Sequence, residues 1–155
     1  MLPIFLNLKD RPCLVVGGGT VALRKIHLLL QEGAKVTVVS PKVDPEIERL
    51  ASSGQIRWYK RLFRLQDVDG MTLVFCATNH YSVNRSVAAV ARRRGVPVNV
   101  ADDPDNCDFY LGSVARRGRV TLAVSTSGLS PALARHLRRV LESAFPPHVD
   151  TVAEA

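Results

Sequence analysis

Short apolar runs alternate along this chain with stretches in which apolar residues recur every three or four positions, the spacing of a helix face. Leu14–Val16 reads as a strand, and Val21–Gln31 follows with helical spacing and is closed by Gly33. Lys35–Val39 predicts a second strand, stopped by Ser40-Pro41. Asp44–Ala51 predicts a short helix, Ile56–Tyr59 a third strand and Thr72–Ala77 a fourth. The fourth is nearly all apolar, as expected for a strand covered on both faces. Val83, Val87, Val90 and Ala91 place a helix over His80–Arg94, and Val96–Val100 predicts a fifth strand. This alternation predicts an α/β fold with a Rossmann-like parallel, doubly wound sheet.

The pattern then changes. Phe109–Arg116 and Arg119–Ser125 read as two strands around Arg117-Gly118, a hairpin signal. Ser130-Pro131 starts a helix with an N-cap and a proline at the first helical position. Leu133, Leu137, Val140 and Leu141 form its apolar face, Arg135, Arg138 and Arg139 lie on another, and Pro146-Pro147 ends it. This strand–strand–helix piece is too small to fold alone. It needs either the sheet domain or a second subunit to pack against.

The junction between the first strand and the first helix carries the most specific chemistry. Cys13-Leu14-Val15-Val16 runs into Gly17-Gly18-Gly19-Thr20-Val21-Ala22, so Gly17, Gly19 and Ala22 match the G-x-G-x-x-G/A dinucleotide fingerprint. The first glycine turns the chain out of the strand. The second lets a pyrophosphate approach the backbone, and Ala22 lets the helix sit close on the sheet. The helix start at Thr20 and Val21 then offers N–H groups and a positive dipole end. The bland alternative is a tight strand-to-helix turn without a ligand. Strand two ends at Val39-Ser40 with no acidic residue for a ribose 2′-hydroxyl; Ser40 is a weaker substitute, and Lys42 brings NADP into consideration.

Composition narrows the class. The chain has 155 residues, is 46% hydrophobic and has no apolar run near the roughly 20 residues of a membrane helix. The first residues show no secretory signal, which points to a cytoplasmic protein. Cys13, Cys76 and Cys107 are far apart and form no C-x-x-C pair, so they read as reduced thiols, the first two in the core. No His/Cys/Asp grouping has the spacing of a structural metal site. A net charge of +7 fits nucleic acid, a membrane surface or an acidic small molecule. Aromatic residues are only 6%, and Arg92-Arg93-Arg94 before Gly95 is explained as a helix C-terminus, so neither nucleic acid nor membrane is the expected partner. His80 is the one histidine expected near the glycine loop, with His27 and His136 on the surface.

Several motifs in order are similar to one family. These are Leu2-Pro3-Ile4-Phe5-Leu6, the glycine loop with Arg24-Lys25, Ala77-Thr78 with Asn84, Val98-Asn99-Val100-Ala101-Asp102-Asp103-Pro104, Cys107-Asp108-Phe109, and Ser125-Thr126-Ser127-Gly128-Leu129-Ser130-Pro131. Together they resemble precorrin-2 dehydrogenase, the dehydrogenase/ferrochelatase module of sirohaem synthase. The resemblance implies NAD-dependent oxidation of precorrin-2 to sirohydrochlorin, with ferrous iron insertion in some members. It implies an NAD-binding domain at 1–108, a dimerisation segment at 109–147 and, beyond it, a helical region where this chain has a short tail at 148–155. The essential aspartate of the family's Asn-Val-x-Asp pattern falls on Asp102. Asp103 reads as a turn residue before Pro104. Gly17, Gly18, Gly19, Thr20, Val21, Ser40, Thr78 and Asn79 are the expected cofactor contacts. The hydroxyl-rich Ser125, Thr126, Ser127 and Gly128 are the expected substrate contacts, unless that loop only caps the last helix. Thr78-Asn79-His80 stands where many relatives have Thr-Asp-Asp, and Leu111-Gly112 where a Phe/Tyr-Pro pair is frequent. The expected partners are the tetrapyrrole, a second copy of the chain, and a separate chelatase or methyltransferase.

Three other readings compete. A non-catalytic, NAD-binding regulatory Rossmann module normally needs an acidic residue where Ser40 stands. A short-chain reductase needs Tyr-x-x-x-Lys, which Tyr59, Tyr81 and Tyr110 all fail to supply. A scaffold protein would use the arginine face of the last helix and bind no nucleotide.

Overall fold

The structure is a computed structural model that describes residues 1–145. The expected helix stop at Pro146-Pro147 and the tail at 148–155 lie outside the described residues. Two compact units are present, one spanning Leu2–Phe109 and the other formed mainly from Tyr110 onwards.

In the first unit, strands β1 (Pro12–Val16), β2 (Lys35–Val39), β3 (Arg57–Tyr59), β4 (Leu73–Cys76) and β5 (Val98–Val100) form one sheet. Its order is β3-β2-β1-β4-β5 and every pairing is parallel. Helices α1 (Thr20–Gln31), α2 (Pro45–Ser52) and α3 (Tyr81–Arg93) make the connections. Side chains alternate across the strands and build two cores. Cys13, Val15 and Phe75 pack with Ala22, Ile26 and Leu29 of α1, while Leu14, Val16 and Val74 pack with Val87 and Ala91 of α3. Burial pushes the Cys13 thiol up to about 11 and the Cys76 thiol up to about 12, which makes both inert packing groups.

All three helices of this unit end in the same way. Gly33, Gly54 and Gly95 are in the left-handed region, and the next residue donates back five positions: Ala34 to Leu29, Gln55 to Leu50, Val96 to Ala91. This is the Schellman closure. It places Val96 in the cap of α3, so the fifth strand starts at Val98 and not at the expected Val96. Arg92 and Arg94 are also held by more than the helix dipole. Arg92 donates to Asp108 at 3.0 Å, and Arg94 pairs with Asp69.

β5 is an edge strand, and the segment after it covers that edge. Val98 N–H donates to the Asp108 carboxylate at 3.0 Å, and Asp108 N–H returns to Val98 O at 2.8 Å. The Cys107 Sγ lies 3.2 Å from both Val100 N and Val100 O. Phe109 therefore belongs to the sheet unit and not to a sixth strand beginning there.

In the second unit, β6 (Ser113–Arg117) and β7 (Val120–Val124) form an antiparallel hairpin. The turn is Gly118-Arg119, one residue later than expected. Helix α4 (Pro131–Ser143) packs on this hairpin. Among the described residues of this unit, only Ala115 and Ala134 are buried apolar residues. Leu133, Leu137, Val140 and Leu141 are all exposed.

Candidate active site

The strand order reverses between β1 and β4, because β1 connects outward to β2 while β4 lies on its other side. Ligands of open α/β sheets bind at this point, beyond the carboxyl ends of the strands. Here Gly17 leaves β1 with φ +125°, a backbone state that excludes side chains. Its N–H donates to Val39 O at 3.0 Å, and Ala77 N–H donates to Val16 O at 2.8 Å. A Cβ at Gly17 would fall inside van der Waals contact of the Ala77 carbonyl. A Cβ at Gly18 would strike the Lys42 carbonyl, since the Ser40–Asp44 loop is drawn over it by Asp44 N–H donating to Gly18 O at 2.7 Å. Gly19 differs: a Cβ there would meet nothing within 4 Å.

Gly19 is the N-cap of α1, and no side chain caps this end. The first turn also carries no acidic residue. Its amides are thus directed, with the helix dipole, at a cleft of about 500 Å³. Gly17, Gly18, Gly19, Thr20, Val21, Ser40, Thr78 and Asn79, all expected cofactor contacts, lie together on its wall. His80 lines it too.

One detail differs from expectation. Ser40 is buried, and its hydroxyl donates to Lys42 O at 2.6 Å, so it shapes the loop and keeps only its lone pairs for a ribose. Lys42 is exposed on the cleft wall. His27 lies at the surface as expected, where its Nε2 is 2.9 Å from Glu46 and ties α1 to α2.

Several contributors to the cleft had no role assigned from the sequence, Asn84 among them although it stands in the family motif. Leu62 and Phe63 line the cleft from the loop after β3. That loop is held by Arg61, whose fork grips both oxygens of Asp67 at 2.8 and 2.6 Å. Burial works to raise the Asp67 carboxyl, but Arg61 and the Arg64 N–H outweigh it and hold it below the usual range. Asn84, buried in α3, donates to Thr78 O at 3.0 Å and accepts from the Thr78 hydroxyl at 2.6 Å. It fixes the Thr78 corner of the cleft. Asn84 stands three residues before Val87 and seven before Ala91, so a polar residue on the buried face of a helix was the available signal.

Asp102 lies just past the end of β5, exposed, with φ +58°. A non-glycine residue in this region is strained, and such strain concentrates at functional positions. Asp103 behaves as a turn residue: its carboxylate accepts from Asn106 at 2.7 Å, and its carbonyl lies 3.3 Å from the Cys107 Sγ.

In the second unit, the Ser125–Ser130 loop spends much of its polarity on itself. Ser125 Oγ accepts from Ser127 N–H at 3.1 Å. The Thr126 hydroxyl donates to Ser130 O and accepts from Ser130 N–H. Ser130 Oγ caps α4 by accepting from Leu133 N–H at 3.1 Å. Ser127 has φ +56° and is exposed, as is Gly128.

Comparison with known proteins agrees with this geometry. Residues 4–113 match the family described as "Putative NAD(P)-binding", and residues 117–144 match "Sirohaem biosynthesis protein central". A solved structure named "SirC, precorrin-2 dehydrogenase" superposes with a TM-score of 0.82 at 34% identity, covering 99% of this chain and 76% of that one. This chain belongs to the precorrin-2 dehydrogenase family. It is 49% identical over 152 residues to a "Siroheme synthase" of Methylococcus capsulatus, covering 98% of this chain and 32% of that protein. It is 46% identical over 145 residues to one of Methylobacillus flagellatus, covering 94% and 31%. The chain thus spans about a third of the length of the curated relatives it matches.

The glycines can be separated by experiment. Gly18→Ala should lower the melting temperature clearly, because its methyl group meets a backbone carbonyl. Gly19→Ala should fold as the wild type does and lose only helix-cap energy of a few tenths of a kcal/mol up to about 1 kcal/mol. Thermal unfolding of both variants checks this; equal losses would mean that the Gly18–Lys42 approach is not as described.

Proposed function

We propose that this chain oxidises precorrin-2 to sirohydrochlorin with NAD as hydride acceptor, as a step of sirohaem biosynthesis. The observation that carries the reading is the uncapped α1 N-terminus at Gly19, facing an open cleft at the sheet's reversal point, in a chain of this family. The residues fit the dinucleotide. The Gly17–Val21 backbone would take the pyrophosphate, Ser40 and Lys42 the ribose, and Thr78 with Asn79 the remainder, all of them lining the one cleft. Ser40 in place of an acidic residue weakens the usual 2′-hydroxyl contact, and NAD is the acceptor the family favours.

Bound there, NAD supplies the site for the departing hydride. Asp102 takes the proton that leaves the macrocycle, so that loss of one hydride and one proton gives one new double bond. Ferrous iron, a substrate in some family members, would displace pyrrole protons from the same macrocycle, and Asp102 would receive these as well. The Ser125–Gly128 loop supplies hydroxyl donors to carboxylates of the macrocycle. Ser125 keeps its own hydroxyl proton for this purpose while accepting from Ser127.

The second unit exposes Leu133, Leu137, Val140 and Leu141 on one helix and buries little of its own. A second copy of the chain is the partner that would cover this face, giving a symmetric dimer. Among the described residues no helix is long and apolar enough to cross a membrane. With Cys13, Cys76 and Cys107 all free thiols, we assign the protein to the cytoplasm.

Asp102→Asn tests the chemistry. Asn tolerates the left-handed backbone and keeps the shape, but cannot take a proton. Anaerobic turnover of precorrin-2 with NAD should fall about 10²–10⁴-fold while NAD affinity stays. Equal turnover would remove Asp102 from the role, and loss of iron insertion alone would make it a chelation residue. Asp103→Asn should cost much less. For the assembly, sedimentation at micromolar concentration should give a dimer that Leu137→Glu dissociates; a wild-type monomer would contradict the partner assignment.

A further inference from the structure

Lys25 lies in the second turn of α1, beside the buried residues Ala22, Ile26 and Leu29. It is half-buried, and its ammonium stands 5.5 Å from the centroid of the Phe75 ring. Phe75 is a core residue of β4, and Phe109 meets it edge-on at 5.4 Å. Asn99, paired in register with Phe75 on β5, donates to Phe109 O at 2.9 Å. The lysine therefore rests on a rigid, hydrogen-bonded platform on the α1 side of β4 and β5. Asp102, two residues past the end of β5, lies within coulombic reach of the ammonium.

What Lys25 lacks is an anion at ion-pair distance, Asp102 acting on it only through space. Among the described residues its ammonium enters no ion pair or hydrogen bond, and its one described contact is the ring face. A cation over an aromatic ring gains about 0.5–2 kcal/mol, little against the cost of removing a charge from water. A methionine would fill the same groove without that cost. Lys25, like Asp102, is not among the residues that line the dinucleotide cleft, which points to a partner other than the pyrophosphate.

We propose that Lys25 is a substrate-anchoring residue: its ammonium, held over Phe75 near Asp102, takes a carboxylate of the tetrapyrrole and sets which edge of the macrocycle faces Asp102. This rests on the reading of the chain as a precorrin-2 dehydrogenase. It adds to that reading a specific cation, outside the hydroxyl loop of the second unit, and accounts for a charge that makes no direct ion pair among the described residues.

The charge state gives the anchor a pH signature. Burial, with Arg24 on the same helix, holds the Lys25 ammonium below the usual lysine value; Cys107 and Asp102 oppose this. The bound carboxylate should thus be lost on the alkaline side earlier than for an ordinary lysine. Arginine, charged throughout, should remove that limb.

The test compares wild type, Lys25→Met and Lys25→Arg, measuring the KM for precorrin-2, kcat and NAD affinity. Wild type must first oxidise precorrin-2; if it does not, the functional reading itself fails and takes the anchor with it. With wild type active, Lys25→Met should raise the KM about ten- to a hundred-fold, the range of a charge-assisted hydrogen bond. NAD affinity should not change, and kcat should fall less than KM rises. Lys25→Arg should recover most of the affinity and flatten the alkaline rise in KM. An unchanged KM in Lys25→Met would overturn the anchor. So would a loss of NAD affinity, which would mark Lys25 as a support of α1, or a fall in kcat with KM intact. If Lys25→Met does not fold, Lys25→Arg decides alone, since an alkaline rise in KM that persists with arginine would refute the assignment.

Discussion

Everything in the sheet unit depends on one close approach of backbones. At Gly17 the chain leaves β1 between the ends of β2 and β4, donating to Val39 O while Ala77 donates to Val16 O. One residue later Gly18 passes under the Lys42 carbonyl. Neither position has room for a methyl group. This crowding aims α1 so that its bare first turn opens on the cleft at Gly19, where there is room. The same three glycines therefore serve opposite ends: two exclude side chains so that protein packs on protein, and the third leaves space for a ligand.

A second constraint fixes the loop that carries Asp102. β5 has an unpaired outer edge, and Cys107 with Asp108 satisfies it. The same segment anchors the loop between, because Cys107 also reaches the Asp103 carbonyl. Asp102 is thus held in a left-handed backbone state at the tip of a loop pinned at both ends. The strain is local and its support is the sheet edge, so the backbone at Asp102 is fixed while its exposed carboxylate has no hydrogen-bond partner among the described residues.

Much of this was legible in the sequence, and the exceptions have a common cause. Lys35–Val39 is the strand that its alternation and Ser40-Pro41 stop predict, and the N-cap at Ser130 is where hydroxyl and proline put it. The glycine fingerprint located the cleft because its meaning is backbone geometry, which glycine reports directly. The errors arose where a residue answers to one particular partner, near or far along the chain, and not to the periodicity of its own segment. Phe109 has strand character, yet it closes over Phe75 because Asp108 is tied to Val98 and Arg92. Val96 belongs to a helix cap whose partner is Ala91. Ser40 bonds forward to Lys42, and Lys25, on the flank of an amphipathic helix, shows its buried position only once Phe75 lies beneath it.

The family assignment is fixed by similarity and fold; the proposed chemistry rests on the cleft and on Asp102, which lies past the end of β5 and is not among the residues lining that cleft. The most direct test is anaerobic mixing of the wild-type protein with precorrin-2 and NAD, following both chromophores together. The account requires one NADH for each macrocycle oxidised, and none from a folded Gly19→Asp protein, whose carboxylate would enter the pyrophosphate position. Tight NAD binding with no NADH formed would contradict it and leave a dinucleotide-binding module without dehydrogenase activity.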